Sequence, residues 1–174
     1  MNNKIYYKTN YKSPLVNIII CCDEQENIVG LWFKNQRYFA DNIDGKIIEK
    51  NNLHIFIRVK GWLDKYFAGE NPNIKDISVK FIGNEFRKSV WKILCKIPYG
   101  KVLTYGDIAK QIAKQKGITK MSAQAIGGAV GHNPISIIVP CHRVVGRNGK
   151  LTGYAAGIDK KKKLLELEQV NIVK

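Results

Sequence analysis

No stretch of the chain comes near the ~20 consecutive apolar residues that cross a bilayer, and its first residues form no apolar signal segment. A soluble, cytoplasmic protein with no membrane partner is therefore expected. Cysteine is sparse: Cys21, Cys22, Cys95 and Cys141 show no framework spacing, which predicts reduced thiols rather than a disulfide scaffold. Cys21, Cys22 and His54 invite a zinc reading. Neighbouring cysteines on a strand point to opposite faces, however, and structural zinc pairs are usually separated by two to four residues, so no metal is expected. Acidic residues are scarce as well, 14 Asp and Glu against 29 Lys and Arg, a net charge of +15.

That charge is unevenly placed. Residues 1–83 carry 12 basic and 9 acidic side chains, while residues 84–174 carry 17 and 5. The second half thus holds +12 of the total, the electrostatic footprint of a surface for a polyanion. Within it, Lys160 to Lys163 reads equally well as the solvated start of a helix.

At 174 residues the chain is long enough for one ordinary domain or two small ones. The runs Asn17–Cys22, Ile28–Phe33 and His54–Val59 read as short strands, with residues 23–27 as a hairpin connection between the first two. Residues 61–69 continue with helical spacing, so His54 stands either at a strand end or in the start of that helix. No chemistry is visible in this half. Residues 70–83 read as a linker and an extended segment. Phe86, Val90, Trp91 and Leu94 then mark one face of a helix over 84–94, and Ile97 to Gly100 a turn. Thr104 with Asp107 three residues on is an N-cap signal. Ile108, Ala109, Ile112 and Ala113 follow as the stripe of a short helix ending at Gly117. A second short helix is predicted from about Ser122 to Gly131. Two such helices amid basic charge form a helix-turn-helix pattern. The second is built from small residues, among them Ala123, Ala125 and Gly127. Gly in a helix costs about 0.5–1 kcal/mol relative to Ala, so close backbone approach is expected, either to another helix or to a narrow groove.

The densest chemistry lies in residues 137–145. An apolar run expected to be extended is broken at Pro140, which fixes its φ and lacks an N–H. Cys141, His142 and Arg143 follow before the chain turns apolar again at Val144. A buried structural cysteine is the plain alternative, but a core strand has no reason to carry three such residues. A thiolate is a strong nucleophile, and a neighbouring His or Arg lowers a thiol's pKa.

Pro140-Cys141-His142-Arg143-Val144 resembles the active-site signature of the O6-alkylguanine-DNA alkyltransferases, the methylated-DNA–protein-cysteine methyltransferases. Asn133-Pro134, Thr104-Tyr105-Gly106, Thr152 to Ala155 and Leu164 to Glu168 extend the resemblance over roughly the second half of the chain. It implies an α/β (α+β) protein in two parts. Residues 1–82 would be a small ribonuclease-H-like sheet domain supporting its neighbour. Residues 83–174 would be a mostly helical, winged-helix-like domain with the helix-turn-helix. The resemblance further implies a double-stranded DNA partner bearing O6-alkylguanine, entered from the minor groove by the small helix (Ala123, Gln124, Ala125, Gly127) and acted on by a monomer. The lesion lies inside the stack, so the base must be rotated into a pocket. Cys141 would take the alkyl group, His142 the thiol proton through a water, and Glu168 would orient His142. Tyr105 would donate a proton to the base, Asn133 tie the site loop to the helix-turn-helix, and Tyr154 and Ala155 close over the base. Arg143 is expected to make a structural ion pair or backbone contact, beside Val144 of the motif. An S-alkyl cysteine is an unactivated thioether, so each molecule would react once, without a cofactor.

Two departures stand out. Gln124 occupies the position where an arginine commonly fills the gap left by the flipped base, and it lacks the charge and planar stack of a guanidinium. Ala155-Ala156 replaces the serine or paired glycines of many relatives, adding a methyl near the pocket. Three rival readings exist: a non-catalytic binder of alkylated DNA, a Cys–His hydrolase, and a helix-turn-helix regulator. The first is disfavoured by the intact Cys141, the second by the +12 half, the third by the lack of room for a sensing module.

Overall fold

The computed structural model describes residues 3–172. Contacts divide it into two compact units. One gathers the chain up to Ile82 together with Pro134–Ser136; the other holds Gly83–Asn133 and the chain from Ile137 onward. The short segment Pro134–Ser136, placed by sequence with the second part, thus belongs to the first unit.

The first unit is a four-stranded sheet of β1 (Ile5–Lys12), β2 (Asn17–Asp23), β3 (Ile28–Phe33) and β4 (Lys46–Glu49), in the order β3-β2-β1-β4. β1 and β3 flank β2 antiparallel, whereas β4 runs parallel to β1. Asp23 builds the expected β2–β3 hairpin by accepting the N–H groups of Gln25 and Asn27, and it pairs with Lys80 at 3.0 Å. Every residue of β3 is buried, and so are Cys21 and Cys22, as a sheet covered on both faces requires. The free side of β3 is closed by short parallel bridges to Val79 and Ile135. Leu31 N–H donates to Pro134 O at 2.8 Å, and Ser136 N–H to Leu31 O at 2.9 Å.

The third predicted strand is instead the start of a helix, α1 (His54–Phe67). A strand would bury Ile55, Ile57 and Val59 together, but Ile57 is 61% exposed. The buried set Ile55, Phe56, Val59, Trp62, Leu63 and Tyr66 follows the helical period. Leu53 offers no capping side chain; the Ile55 N–H is taken by Glu26 Oε2 from the hairpin, at 2.9 Å. β1 and β4 were not anticipated from the sequence.

In the second unit, local signals decide most elements. α2 (Glu85–Leu94) starts at Asn84, which accepts the Arg87 N–H, and buries Val90, Trp91, Ile93 and Leu94. α3 (Tyr105–Lys116) begins with a full capping box between Thr104 and Asp107 and ends at left-handed Gly117. α4 (Ala123–Gly131) is capped by Ser122 and tied to α2 by Trp91 Nε1 donating to Ala129 O at 2.9 Å. β5 (Leu103–Thr104) pairs parallel with β6 (Val144–Val145), and α5 (Ile158–Leu167) closes the unit.

The run before Pro140 is not the expected extended segment. Residues 136–138 form a turn, and Ile137 adopts φ +69°, unusual for a β-branched residue. Ile137, Ile138 and Val139 are apolar because all three are buried, not because they pair as a strand; Ile135, also buried, makes the single bridge to β3. Among the described residues no helix is long and apolar enough to cross a membrane, and no group of three His, Cys, Asp or Glu side chains is placed to hold a metal.

Candidate active site

Pro140 (φ −82°, ψ 64°) ends the turn, and Cys141, His142 and Arg143 form one turn of 3-10 helix. All three are buried. This tight turn, rather than an extended strand, is what lets adjacent residues serve one site.

Glu168, just past the end of α5, receives both neighbours of the thiol. It accepts from His142 Nε2 at 2.6 Å, from Arg143 Nε and Nη2 at 2.9 and 3.0 Å, and from the Gly100 N–H at 3.2 Å. Gly100 aims that N–H from a left-handed turn with φ +74°, a conformation glycine adopts without steric cost. Arg143 also donates Nη1 to Ile97 O at 2.6 Å and lies 5.7 Å from the Tyr99 ring centroid. Burial alone would raise the Glu168 carboxyl. Hydrogen bonds from His142 and Arg143, the charge of Arg143 and, once the ring is protonated in acid, that of His142 together outweigh it and hold Glu168 down to about 2. Burial depresses His142, against the pull of Glu168, so the ring is neutral at pH 7. With Glu168 ionised, Nε2 carries the donated proton and Nδ1 the basic lone pair.

The thiol of Cys141 is pushed up by burial. Opposing this are hydrogen bonding from Asn133, the charge of Lys161 and hydrogen bonding from Tyr154. Asn133 additionally donates Nδ2 to Val139 O at 2.8 Å, bridging the turn between α4 and Pro140. Tyr105, the first residue of α3, is half-buried; burial raises its phenol, the Cys141 charge adds to this, and a hydrogen bond with Thr152 works against it. The phenol is therefore protonated at neutral pH. Tyr154 and Ala155 lie half-buried on the loop between β6 and α5, which ends at Gly157 with φ +101°.

The structure thus brings Cys141, His142, Arg143, Glu168, Asn133, Tyr105 and Tyr154 to one place. Val144 is buried in β6, paired with Leu103. Ala123, Gln124 and Ala125 are elsewhere, on the exposed side of α4. Gly127 turns toward the Tyr105 ring, where an added Cβ would sit 3.9 Å from it, while a Cβ on Gly128 or Gly131 would meet nothing within 4 Å. A separation of 3.9 Å is ordinary contact, so internal packing requires none of these three glycines. Gly128 and Gly131 leave an open, slim surface.

Sequence reasoning passed over Gly100, Ile97 and above all Lys161. Lys161 has 0% exposure, and its Nζ donates to Thr152 O at 3.0 Å and Gly153 O at 3.2 Å. The signal was available: residues 161, 164, 165 and 168 share one helical face, and a lysine stands where the stripe calls for an apolar residue.

A sheet unit followed by a helical unit with a buried Cys–His–Glu cluster defines a two-domain class that comparison makes specific. The family model described as 6-O-methylguanine DNA methyltransferase, ribonuclease-like domain, matches residues 5–81, and that of the DNA binding domain of the same family matches residues 85–170. The chain belongs to the 6-O-methylguanine DNA methyltransferase family and is an enzyme of that kind. A methylated-DNA–protein-cysteine methyltransferase of Methanosarcina mazei is 44% identical over 163 residues, covering 92% of this chain and 96% of the relative. One from Haemophilus influenzae is 37% identical over 164 residues, covering 94% and 87%. Among solved structures, Mycobacterium tuberculosis OGT in complex with DNA superposes with a TM-score of 0.76 at 36% identity, covering 95% of this chain and 92% of that one.

Proposed function

We propose that this protein repairs DNA by moving an alkyl group from O6 of guanine irreversibly onto Cys141 Sγ. The observation that carries the reading is the buried Cys141–His142–Glu168 cluster in the unit that also carries the helix-turn-helix. α3 and α4 approach duplex DNA, with the slim outer side of α4 in the minor groove. That groove is read degenerately, which suits a lesion found in any sequence. The damaged base is extruded into the site, between Tyr105 and the loop of Tyr154 and Ala155.

The S–C bond then forms as the C–O6 bond breaks. The thiol proton passes through a water to His142 Nδ1, while Tyr105 supplies a proton to the departing guanine, which leaves neutral. Glu168 stabilises the imidazolium and fixes its orientation. The product is a thioether, which water does not cleave, so the protein acts once, as a monomer and without a cofactor. O4-alkylthymine offers the same alkyl–oxygen bond and is a second substrate on this reading.

Incubation with excess duplex carrying O6-methylguanine, followed by intact mass and peptide mapping, tests the proposal. One methyl on Cys141, saturating at one equivalent, is the expected result. Tight binding without a mass change would replace it with the damage-flagging reading, and turnover of an acyl substrate without DNA affinity with the hydrolase.

Gln124 makes a separate prediction. It is exposed on α4 and carries no charge, so it fills the vacated stack less well than a guanidinium would. Gln124→Arg is expected to raise the transfer rate on intact duplex by about tenfold, the value of one modest hydrogen-bonded or stacked contact, and to change little on single strands. Equal rates on duplex would count against this role for α4.

A further inference from the structure

We propose that Gln36 is a positioning residue for the alkyl transfer: from within the sheet unit it fixes Ser136, the residue before the left-handed turn at Ile137, and so sets the course of the chain that delivers Cys141. This rests on the reading of Cys141 as the alkyl acceptor.

A β-branched residue in the left-handed region is strained and persists only where its neighbours over-determine it. Ile137 is such a residue, at φ +69° and 1% exposed, on the run between Asn133 and the thiol. Both of its flanks are tied. On the thiol side, Val139 O accepts from Asn133 Nδ2 at 2.8 Å. On the other side, Pro134–Ser136 is part of the first unit and runs along β3, with Leu31 N–H donating to Pro134 O at 2.8 Å and Ser136 N–H to Leu31 O at 2.9 Å. Those two bonds hold the backbone only as far as the Ser136 nitrogen. The Ser136 hydroxyl supplies the next restraint before the turn.

That hydroxyl donates to Gln36 Oε1 at 3.2 Å, and the same oxygen takes the Phe33 N–H at 3.0 Å where β3 ends. Gln36 N–H in turn donates to Phe33 O at 3.0 Å, so the turn after β3 is closed by its own backbone. The amide side chain is not needed for that closure. Yet it is buried, 6% exposed, with Ser136 at 2%, and a buried amide is costly unless its partners are in place. Its oxygen is accordingly shared between the end of the strand and the start of the site run. Glutamine and serine carry no charge, so the link acts on where the sulfur sits and not on its acidity. A nucleophile misplaced by about 1 Å can lose about 10²-fold in rate.

Single-turnover methyl transfer from duplex O6-methylguanine, read from the mass of the Cys141 peptide, tests this in wild type, Ser136→Ala, Gln36→Met and the double variant. Folding is checked by circular dichroism, and affinity for undamaged duplex is measured alongside. Each single variant is expected to transfer about tenfold more slowly at saturating DNA, with unchanged affinity. The double variant should lose no more than Gln36→Met alone, because both substitutions remove one link. Wild-type transfer by folded Ser136→Ala overturns the proposal. So do additive losses in the double variant, or a loss that shows only as weaker DNA binding. Should Gln36→Met fail to fold, Ser136→Ala decides alone, since it leaves the bond between Gln36 and Phe33 in place. Absence of methyl transfer by the wild-type protein is a different result, which removes the alkyl-acceptor reading itself.

Discussion

A Cys141→Ala protein is expected to acquire no methyl group from O6-methylguanine DNA, a loss of at least about 10⁴-fold in transfer rate, the scale on which removal of a nucleophile acts. Duplex binding should persist, because the substituted side chain is small and lies away from the exposed side of α4. None of the other thiols can substitute. Burial raises Cys21 and Cys22 to about 12 and Cys95 to about 11, and no histidine is among the groups acting on any of the three. Truncating a buried thiol to a methyl costs about 1 kcal/mol of stability, so the variant should remain folded. Mass spectrometry after exposure to excess damaged duplex reads the result directly. Methyl transfer at the wild-type rate, to whichever residue, would displace Cys141 from the mechanism.

Glu168→Gln is expected to have the largest effect on stability. Glutamine preserves the volume and one acceptor, but it leaves the buried Arg143 guanidinium without a counter-charge. Breaking one side of a buried ion pair typically costs about 3–5 kcal/mol. Equilibrium unfolding in urea should show the midpoint fall with little change in slope, and loss below about 1 kcal/mol would mean that the pair contributes little.

The same carboxylate sets a pH dependence in the wild-type protein. Its folded value, about 2, lies below the ordinary 4.5, so its stabilisation is complete above pH 4.5 and is lost as pH falls toward 2. At neutral pH this amounts to about 3 kcal/mol. The depressed His142 acts in the same direction, since its neutral form is the buried one. Stability should therefore decline only on the acid side of neutrality as far as this cluster is concerned, and Glu168→Gln should flatten the portion between pH 4.5 and 2.

Much of the second unit was legible because its signals are local. Asn84, Thr104 with Asp107, and Ser122 each sit within three residues of the N–H they satisfy, and Gly117 ends α3 by its own backbone freedom. Elements made by distant partners were not legible. β4 exists because four half-buried or exposed residues pair parallel with β1, some forty positions earlier, and nothing in Lys46–Glu49 announces that partner. Residues 54–59 are apolar enough for either period, and only the helix turns Ile57 outward. The run 135–139 contributes core atoms from a turn, and part of it joins the first unit's sheet. At the site, the signature residues Cys141, His142 and Arg143 and the closing Glu168 could be named from their pattern, and the structure places them together. Lys161 was hidden by its three lysine neighbours, which made a core position look like part of a solvated run.

The saturation of Glu168 carries a consequence for proton traffic. Four donors already occupy its oxygens, and its carboxyl titrates far below neutrality. It cannot accept the imidazole's proton and pass it on. On the proposed reaction, the proton lost by the sulfur therefore stays on the His142 side of the cluster until it replaces the one that Tyr105 gives to the product, and the count of protons in the pocket is unchanged from start to finish. A reaction closed in this way draws nothing from the surrounding medium. Its rate at constant pH should be indifferent to the concentration of external buffer.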